Sequence, residues 1–334
     1  MRHEAFIFPD GHLLFKDPTP EILDQIRSIY PGFKPESFPP PDDFISNLRK
    51  LKEGDLETKI KLAKEILSSC NLCGCNCGVN RLRSSGKCGL RKEAFCSEPF
   101  VHICEEAPIN PAVNLKMFGC GMRCVYCQAQ DHIEDWYESS EVMHLNQVVW
   151  DIVEWEKAVS LEFVGGNPTE STLGILEFLL YAPKDFDLPV VWNDNLYGFE
   201  AAYKLLDGVV DVYLPDFKYG NIECARRLSG VDRYWETATA GLKTIMKQNV
   251  RIIARVLVLP GHFECCHRRV LEWLSQYMDR IWISVLDQYV PEYKAIGHPD
   301  MGRLTTKEEV VKVERLAEKL GLRDVNKNPK SFWK

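Results

Sequence analysis

From about residue 110 onward, short apolar stretches alternate with longer amphipathic ones. The short stretches are AVNLKMF (112–118), LEFVGG (161–166), LPVVWND (188–194), VVDVYLPDF (209–217), RIIARVLVL (251–259) and RIWISVL (280–286). They are rich in β-branched residues and nearly continuous in apolar character, the pattern of strands covered on both faces. Between them, NQVVWDIVEWEKAV (146–159), TLGILEFLLY (172–181) and VLEWLSQYM (270–278) carry helical spacing. The alternation predicts an α/β fold of parallel βαβ units. Six units suit an open, partial (β/α)6 barrel, with a doubly wound sheet as the rival. A last helix, TTKEEVVKVERLAEKLGL, is expected to open with a Thr305-x-x-Glu308 capping box and to stop at Gly321.

The first part of the chain reads differently. EILDQIRSIY (21–30) and DLETKIKLAKEILSS (55–69) are helix-like, with the proline-rich FPPPDDF (38–44) between them as a linker. Residues 70–104 are rich in Cys and Gly and lack periodicity, as expected of a segment organised by metal. The resulting division is an N-terminal helical extension with its linker (1–65), a Cys-rich metal-binding segment (66–105), the barrel (106–300), and a C-terminal helix and tail (301–334).

Charge and composition narrow the class. A formal charge of −7 with 27% charged residues argues against a nucleic-acid platform. Pairs such as Arg226-Arg227 and Arg268-Arg269 read as solvated helix faces. The longest apolar runs fall short of the ~18–20 residues that cross a bilayer, and the start of the chain lacks the apolar core of an export signal. A cytoplasmic protein with no membrane partner is expected.

Cysteine usage agrees: ten of the thirteen cysteines lie between Cys70 and Cys127, in a chain too large to need a disulfide framework. Reduced, metal-binding thiolates are the better reading. Cys224, Cys265 and Cys266 lie outside this group and read as free thiols.

The chemistry gathers where strands end. GCGMRCVYCQAQ (119–130) follows the first barrel strand, GGNPTES (165–171) the second, NDNLYG (193–198) the third, PDFKYG (215–220) the fourth and PGH (260–262) the fifth. Barrel and open α/β enzymes place their active sites at these carboxyl ends. Cys120, Cys124 and Cys127 form a C-x3-C-x2-C set without a fourth neighbour. Three thiolates can hold three corners of a 4Fe–4S cube and leave one iron open to substrate. The alternative is zinc, with His132 or an upstream cysteine as fourth ligand.

With Tyr126 just before the last cysteine, this motif resembles the signature of the radical SAM (S-adenosylmethionine) enzymes. The resemblance covers residues 106–300 and is nearest to the activating enzymes of pyruvate formate-lyase and their uncharacterised relatives. It implies a 4Fe–4S cluster on Cys120, Cys124 and Cys127, and SAM as cofactor. Gly165-Gly166-Asn167-Pro168 stands where the family has a Gly-Gly-Glu-Pro turn that holds the SAM amino group, so a carboxylate is replaced by an amide. Asn193 and Asn195 match an element that contacts the ribose, and Tyr126 is implied to pack the adenine. Asp216 and Lys218 match an Asp-x-Lys pattern. Arg255, a costly charge within an apolar strand, matches a family Arg and would pair with the SAM carboxylate or, structurally, with Asp216 or Glu162. Gln288 stands where a family histidine is expected.

Reductive cleavage of SAM to a 5′-deoxyadenosyl radical and hydrogen abstraction from a substrate, such as a protein glycine, are implied. So is a flavodoxin- or ferredoxin-type electron donor. A peptide or small-molecule substrate, and a non-catalytic iron–sulfur electron carrier, are the alternatives. Upstream, Cys70, Cys73, Cys77 and Cys88 make a four-thiolate set, with Cys75 interleaved and Cys96 and Cys104 beyond. That set suits an auxiliary metal, either zinc or iron–sulfur.

Overall fold

The computed structural model describes residues 5–7, 13–15, 37–138, 142–148, 150 and 158–334. A short antiparallel hairpin joins β1 (Ala5–Ile7) to β2 (Leu13–Phe15). The expected helix over 21–30 and most of that over 146–159 lie outside the described residues. After a short α1 (Asn47–Lys50) comes α2 (Asp55–Ser68), whose buried Ile60, Ala63 and Leu67 recur at helical spacing along one face.

The main sheet follows. β3 (Phe95–Cys96) and β4 (Phe100–His102) pair antiparallel with β5 (Ala112–Met117), and β6 (Met143–His144) pairs with β3. β7 (Ser160–Gly165), α3 (Thr172–Leu179), β8 (Val190–Trp192), α4 (Glu200–Leu205) and β9 (Val212–Tyr213) continue the chain. Then come α5 (Ile222–Ser229), α6 (Tyr234–Ile245), β10 (Arg251–Leu257), α7 (Arg268–Leu274), β11 (Trp282–Leu286) and α8 (Lys307–Lys319).

The six expected strands are β5, β7, β8, β9, β10 and β11, and they lie side by side in that sequential order, every pair parallel. A doubly wound sheet would reverse its strand order at a switch point. None occurs along this path, so the partial barrel is the fold.

Strand alternation and register decide what faces inward. Glu162 pairs with Val191, Val191 with Val212, Val212 with Arg251, and Arg255 with Ser284. One set of alternating positions therefore shares the inner face. Its lower layer is apolar: Val191, Val212, Leu214, Ile253 and Trp282 pack with Ile109, Val325 and Phe332. The C-terminal tail supplies the last two, held where Val325 donates to the Ile283 carbonyl at 2.9 Å. Above that layer the same face turns polar, at Glu162, Asn193, Asp216 and Arg255.

The expected cap of the last helix is shifted by one residue. Thr306, not Thr305, is the N-cap, and Glu309, not Glu308, closes the box. Thr305 instead donates to the Val258 carbonyl at 2.6 Å, which binds the helix entry to β10. No helix among the described residues is long and apolar enough to cross a membrane.

Candidate active site

The inner polar layer opens, at the carboxyl ends of the strands, into a cleft of about 230 Å³. Cys120, Cys124, Tyr126, Cys127, Gly165, Gly166, Asn167, Asn193, Asn195, Asp216, Lys218 and Arg255 all line it, as does Gln288. Five separate loops thus bring the expected residues to one place. Pro168 stands just behind, opening the short helical turn Pro168–Ser171. A larger hollow of about 870 Å³, bordered by Lys64, Glu177, Tyr181 and Trp150, contains none of them.

Two glycines seat the second loop on the cysteine loop. Gly165 has φ +98°, and a Cβ there would lie 2.6 Å from the Met117 nitrogen. A Cβ on Gly166 would lie 2.5 Å from the Gly119 carbonyl oxygen. Backbone cannot yield at such distances, so only glycine lets the 165–168 turn rest against the start of the cysteine loop.

The three thiols sit in a protected environment. Cys120 is buried, and its sulfur accepts from the Met122 amide at 3.3 Å and the Asn195 side chain at 3.5 Å. Ser229 donates to the Cys124 sulfur at 2.9 Å. Burial, with the neighbouring Glu170 carboxylate, raises the Cys120 pKa well above the ordinary thiol value. Burial and Cys124 push Cys127 up to about 12. Lys218 is the cation facing them. Burial opposes its charge, but Asp216, 2.7 Å from Nζ, together with Cys124 and Cys127 raises its pKa.

Among the described residues, the group of three Cys, His, Asp or Glu side chains whose donor atoms all lie within 4.8 Å of one another is Cys224, His262 and Cys265. The barrel cysteines are spread wider than that. Sulfurs sharing one tetrahedral zinc at ~2.3 Å lie about 3.8 Å apart. As placed, the three barrel thiols do not form such a shell. His132 is also committed elsewhere, with Nδ1 3.2 Å from the Met117 carbonyl and its ring stacked on Phe118.

Arg255 departs from the expected pairing. Its Nε donates to Glu106 at 2.8 Å, and its guanidinium also bonds Glu105. Neither Asp216 nor Glu162 takes that role. Both glutamates lie in the connection between β4 and the first barrel strand, far from Arg255 in sequence, and both side chains are buried. Glu162 instead accepts from Asn193 at 2.7 Å, and burial followed by Glu105 raises its pKa well above the ordinary value. Arg255 lines the cleft, but its charge is spent on the protein's own acids.

Sequence reasoning missed Glu170. This residue is buried and accepts from the Gly121 amide at 2.7 Å and from the Asn167 side chain. It ties the cysteine loop to the 165–168 turn. Its signal was a lone carboxylate within a polar loop, which spacing alone does not distinguish.

The upstream cysteines divide into two groups. Cys73 and Cys75 share a thiol hydrogen bond, and Cys75 donates to the Gly121 carbonyl at 3.2 Å, directly against the barrel loop. Leu72 and Gly74 bond to Phe199 and Tyr197, just after β8. Cys70, Cys77 and Cys88 surround the buried Arg81, whose guanidinium donates to the Leu90 carbonyl at 3.1 Å and the Arg91 carbonyl at 2.6 Å. The expected quartet is therefore not gathered as one tetrahedral shell, because Cys73 turns away to join Cys75.

A partial barrel with three unpaired cysteines at the end of its first strand is the architecture of an iron–sulfur radical enzyme. The chain belongs to the radical SAM superfamily, whose domain model matches residues 115–274. An uncharacterised protein of Methanocaldococcus jannaschii is 37% identical over 290 residues, covering 84% of each chain. Among solved structures, anSMEcpe with bound AdoMet is 15% identical, with a TM-score of 0.45, covering 62% of this chain and 60% of that one. HydG, a maturase of the FeFe-hydrogenase, is 14% identical with a TM-score of 0.46, covering 81% and 63%.

Membership implies a 4Fe–4S cluster and SAM. The residues fit both. Three thiols outside any disulfide converge on one cleft. Their buried negative charge is disfavoured by the protein alone and would be relieved by iron.

Proposed function

We propose that Cys120, Cys124 and Cys127 hold the cluster and that the chain activates a partner protein by abstracting hydrogen from a glycine. When bound, a 4Fe–4S cluster held by these thiolates would supply the electron for reductive cleavage of SAM. The chain's own residues bind, orient and protect. The Gly165–Pro168 turn presents its backbone to the SAM amino group, with Asn167 fixed by Glu170. Lys218, already charged and half-buried, faces the carboxylate. Asn193 and Asn195 reach the ribose, and Tyr126, whose hydroxyl lies 2.8 Å from that of Tyr219, packs the adenine. Arg255 acts as a brace rather than a SAM ligand. The surrounding apolar strand ends exclude water and stray hydrogen donors. A small flavodoxin- or ferredoxin-type protein would deliver the electron.

The observation that carries this reading is the convergence of three free thiols, the Gly-Gly turn and a half-buried lysine in one cleft. Anaerobic incubation of reconstituted, reduced protein with SAM tests the chemistry: 5′-deoxyadenosine and methionine are expected in equal amounts. Deuterium transfer from a glycine-deuterated protein partner into 5′-deoxyadenosine tests the substrate. Transfer from a small molecule instead would replace a protein glycine as the substrate while keeping the cleavage chemistry.

A further inference from the structure

We infer that Cys224, His262 and Cys265 form a second metal site, built for one zinc ion and separate from the cleft. Cys224 lies in the first turn of α5, after the loop that carries Asp216 and Lys218. His262 and Cys265 lie in the loop and single π-helical turn (Phe263–His267) after β10. One donor atom from each lies within 4.8 Å of the others, and the two sulfurs are 3.8 Å apart. That separation is the edge of a tetrahedron with metal–sulfur bonds of ~2.3 Å, whereas a disulfide needs ~2.05 Å.

The surroundings hold these donors in place. The Pro260 carbonyl lies 2.7 Å from His262 Nδ1 and accepts its N–H, leaving the lone pair on Nε2 for a metal. Asn221 organises both cysteines: its Oδ1 accepts from the Cys224 amide at 2.8 Å, and its Nδ2 donates to the Cys265 carbonyl at 2.7 Å. Arg227 lies 3.3 Å from His262 Nε2, but it also pairs with Asp300 and can leave the imidazole to a metal.

The donor set selects the ion. Two thiolates and a neutral imidazole cancel the charge of Zn²⁺, and their two thiol protons pass to solvent. Borderline-soft zinc suits sulfur and nitrogen together. Cys224 and His262 are buried while Cys265 is exposed, so the fourth position opens toward solvent and takes water. The bound ion would clasp the start of α5 to the turn after β10, next to the loop after β9 that lines the cleft with Asp216 and Lys218. Gly220 already meets the π-turn there, since a Cβ on it would lie 2.7 Å from the Cys266 carbonyl oxygen.

Alkylation mapped by peptide mass spectrometry tests the site directly. The reconstituted protein, kept reduced and anaerobic, is treated with N-ethylmaleimide with and without added zinc. Zinc is expected to protect Cys265 at least tenfold. Cys224→Ser and His262→Gln should abolish the protection and lose one zinc per chain while iron is unchanged. Cys266→Ser, just outside the ligand group, should keep both. Equal alkylation of Cys265 with and without zinc overturns the proposal. So does a Cys224–Cys265 disulfide that forms in place of zinc binding, or protection that survives in both ligand variants. Should a variant fail to fold, the wild-type comparison alone decides.

Discussion

Replacing Arg255 by Met would remove the cation that compensates two buried carboxylates. Glu105 and Glu106 are 5% and 3% exposed at their side chains, and Arg255 is 15% exposed, so water cannot take over its role. Breaking a buried pair from one side costs about 3–5 kcal/mol. His102, 2.8 Å from Glu105, offsets part of the loss there, so the two glutamates together lose about one pair's worth of stabilisation. Against a typical total stability of ~5–15 kcal/mol this is large. With a urea slope near 3 kcal/mol per molar, the midpoint should fall by roughly 1–1.7 M.

The sign of the pH dependence gives a second check. Burial alone would raise the Glu105 pKa, but Arg255 and then His102 reverse this and hold it well below its ordinary 4.5. In the wild type, the stability so gained is complete above that ordinary value and is lost as pH falls below it. Without Arg255, burial dominates and the folded-state value rises above the unfolded one. The penalty is then present at pH 7 and is relieved as acidification protonates the carboxylate. Urea unfolding under anaerobic conditions at pH 7 and near pH 5 should therefore show the two proteins converging at the lower pH. Adding Glu106→Gln to the variant should restore part of the loss. A variant within ~1 kcal/mol of wild type at pH 7, or a gap that widens on acidification, would refute this account of Arg255.

Other perturbations separate binding from structure. Lys218→Met should weaken SAM binding roughly 10- to 100-fold, the equivalent of one charge-assisted hydrogen bond, with iron content unchanged; titration of the cluster's EPR signal with SAM measures it. Cys120/Cys124/Cys127→Ala should abolish SAM cleavage and the SAM-responsive EPR signal. Any metal on Cys70, Cys77 and Cys88 should survive and be visible by Mössbauer spectroscopy or metal analysis.

The sequence made the scaffold legible because a strand covered on both faces must be apolar over its whole length. All six barrel strands stood out for that reason, even β9, whose ladder is only two residues long. The three barrel cysteines were legible because a single loop carries all three thiols. What escaped was chemistry assembled from distant segments. Arg255 and Glu106 are 149 positions apart, and Cys224 and Cys265 are 41 apart, so no local pattern joins either pair. The cap of α8 escaped for a different reason. Thr305-Thr306 followed by Glu308-Glu309 offers two equivalent registers, and the Val258 carbonyl decides between them by engaging Thr305.

Glu170 is where these two kinds of information meet. One carboxylate oxygen accepts the Gly121 amide of the cysteine loop, while the other accepts the Asn167 amide of the turn expected to hold SAM. Asn167 in turn accepts the Asn195 backbone amide at 3.0 Å. A single buried acid thus sets three loops against one another, and burial, the first of its influences, raises its pKa. Truncation to Ala would leave the Gly121 amide and the Asn167 side chain without their acceptor, at ~1–3 kcal/mol each. The loops would lose their common reference, so cluster retention and SAM affinity should fall together, whereas Lys218→Met should lower affinity alone. Glu170→Gln keeps an acceptor for Gly121 and should retain the cluster. Iron content after gel filtration, measured beside SAM affinity for both Glu170 variants, tells the outcomes apart. Full iron and wild-type affinity in Glu170→Ala would mean that the glycine contacts at Gly165 and Gly166 hold the loops without it.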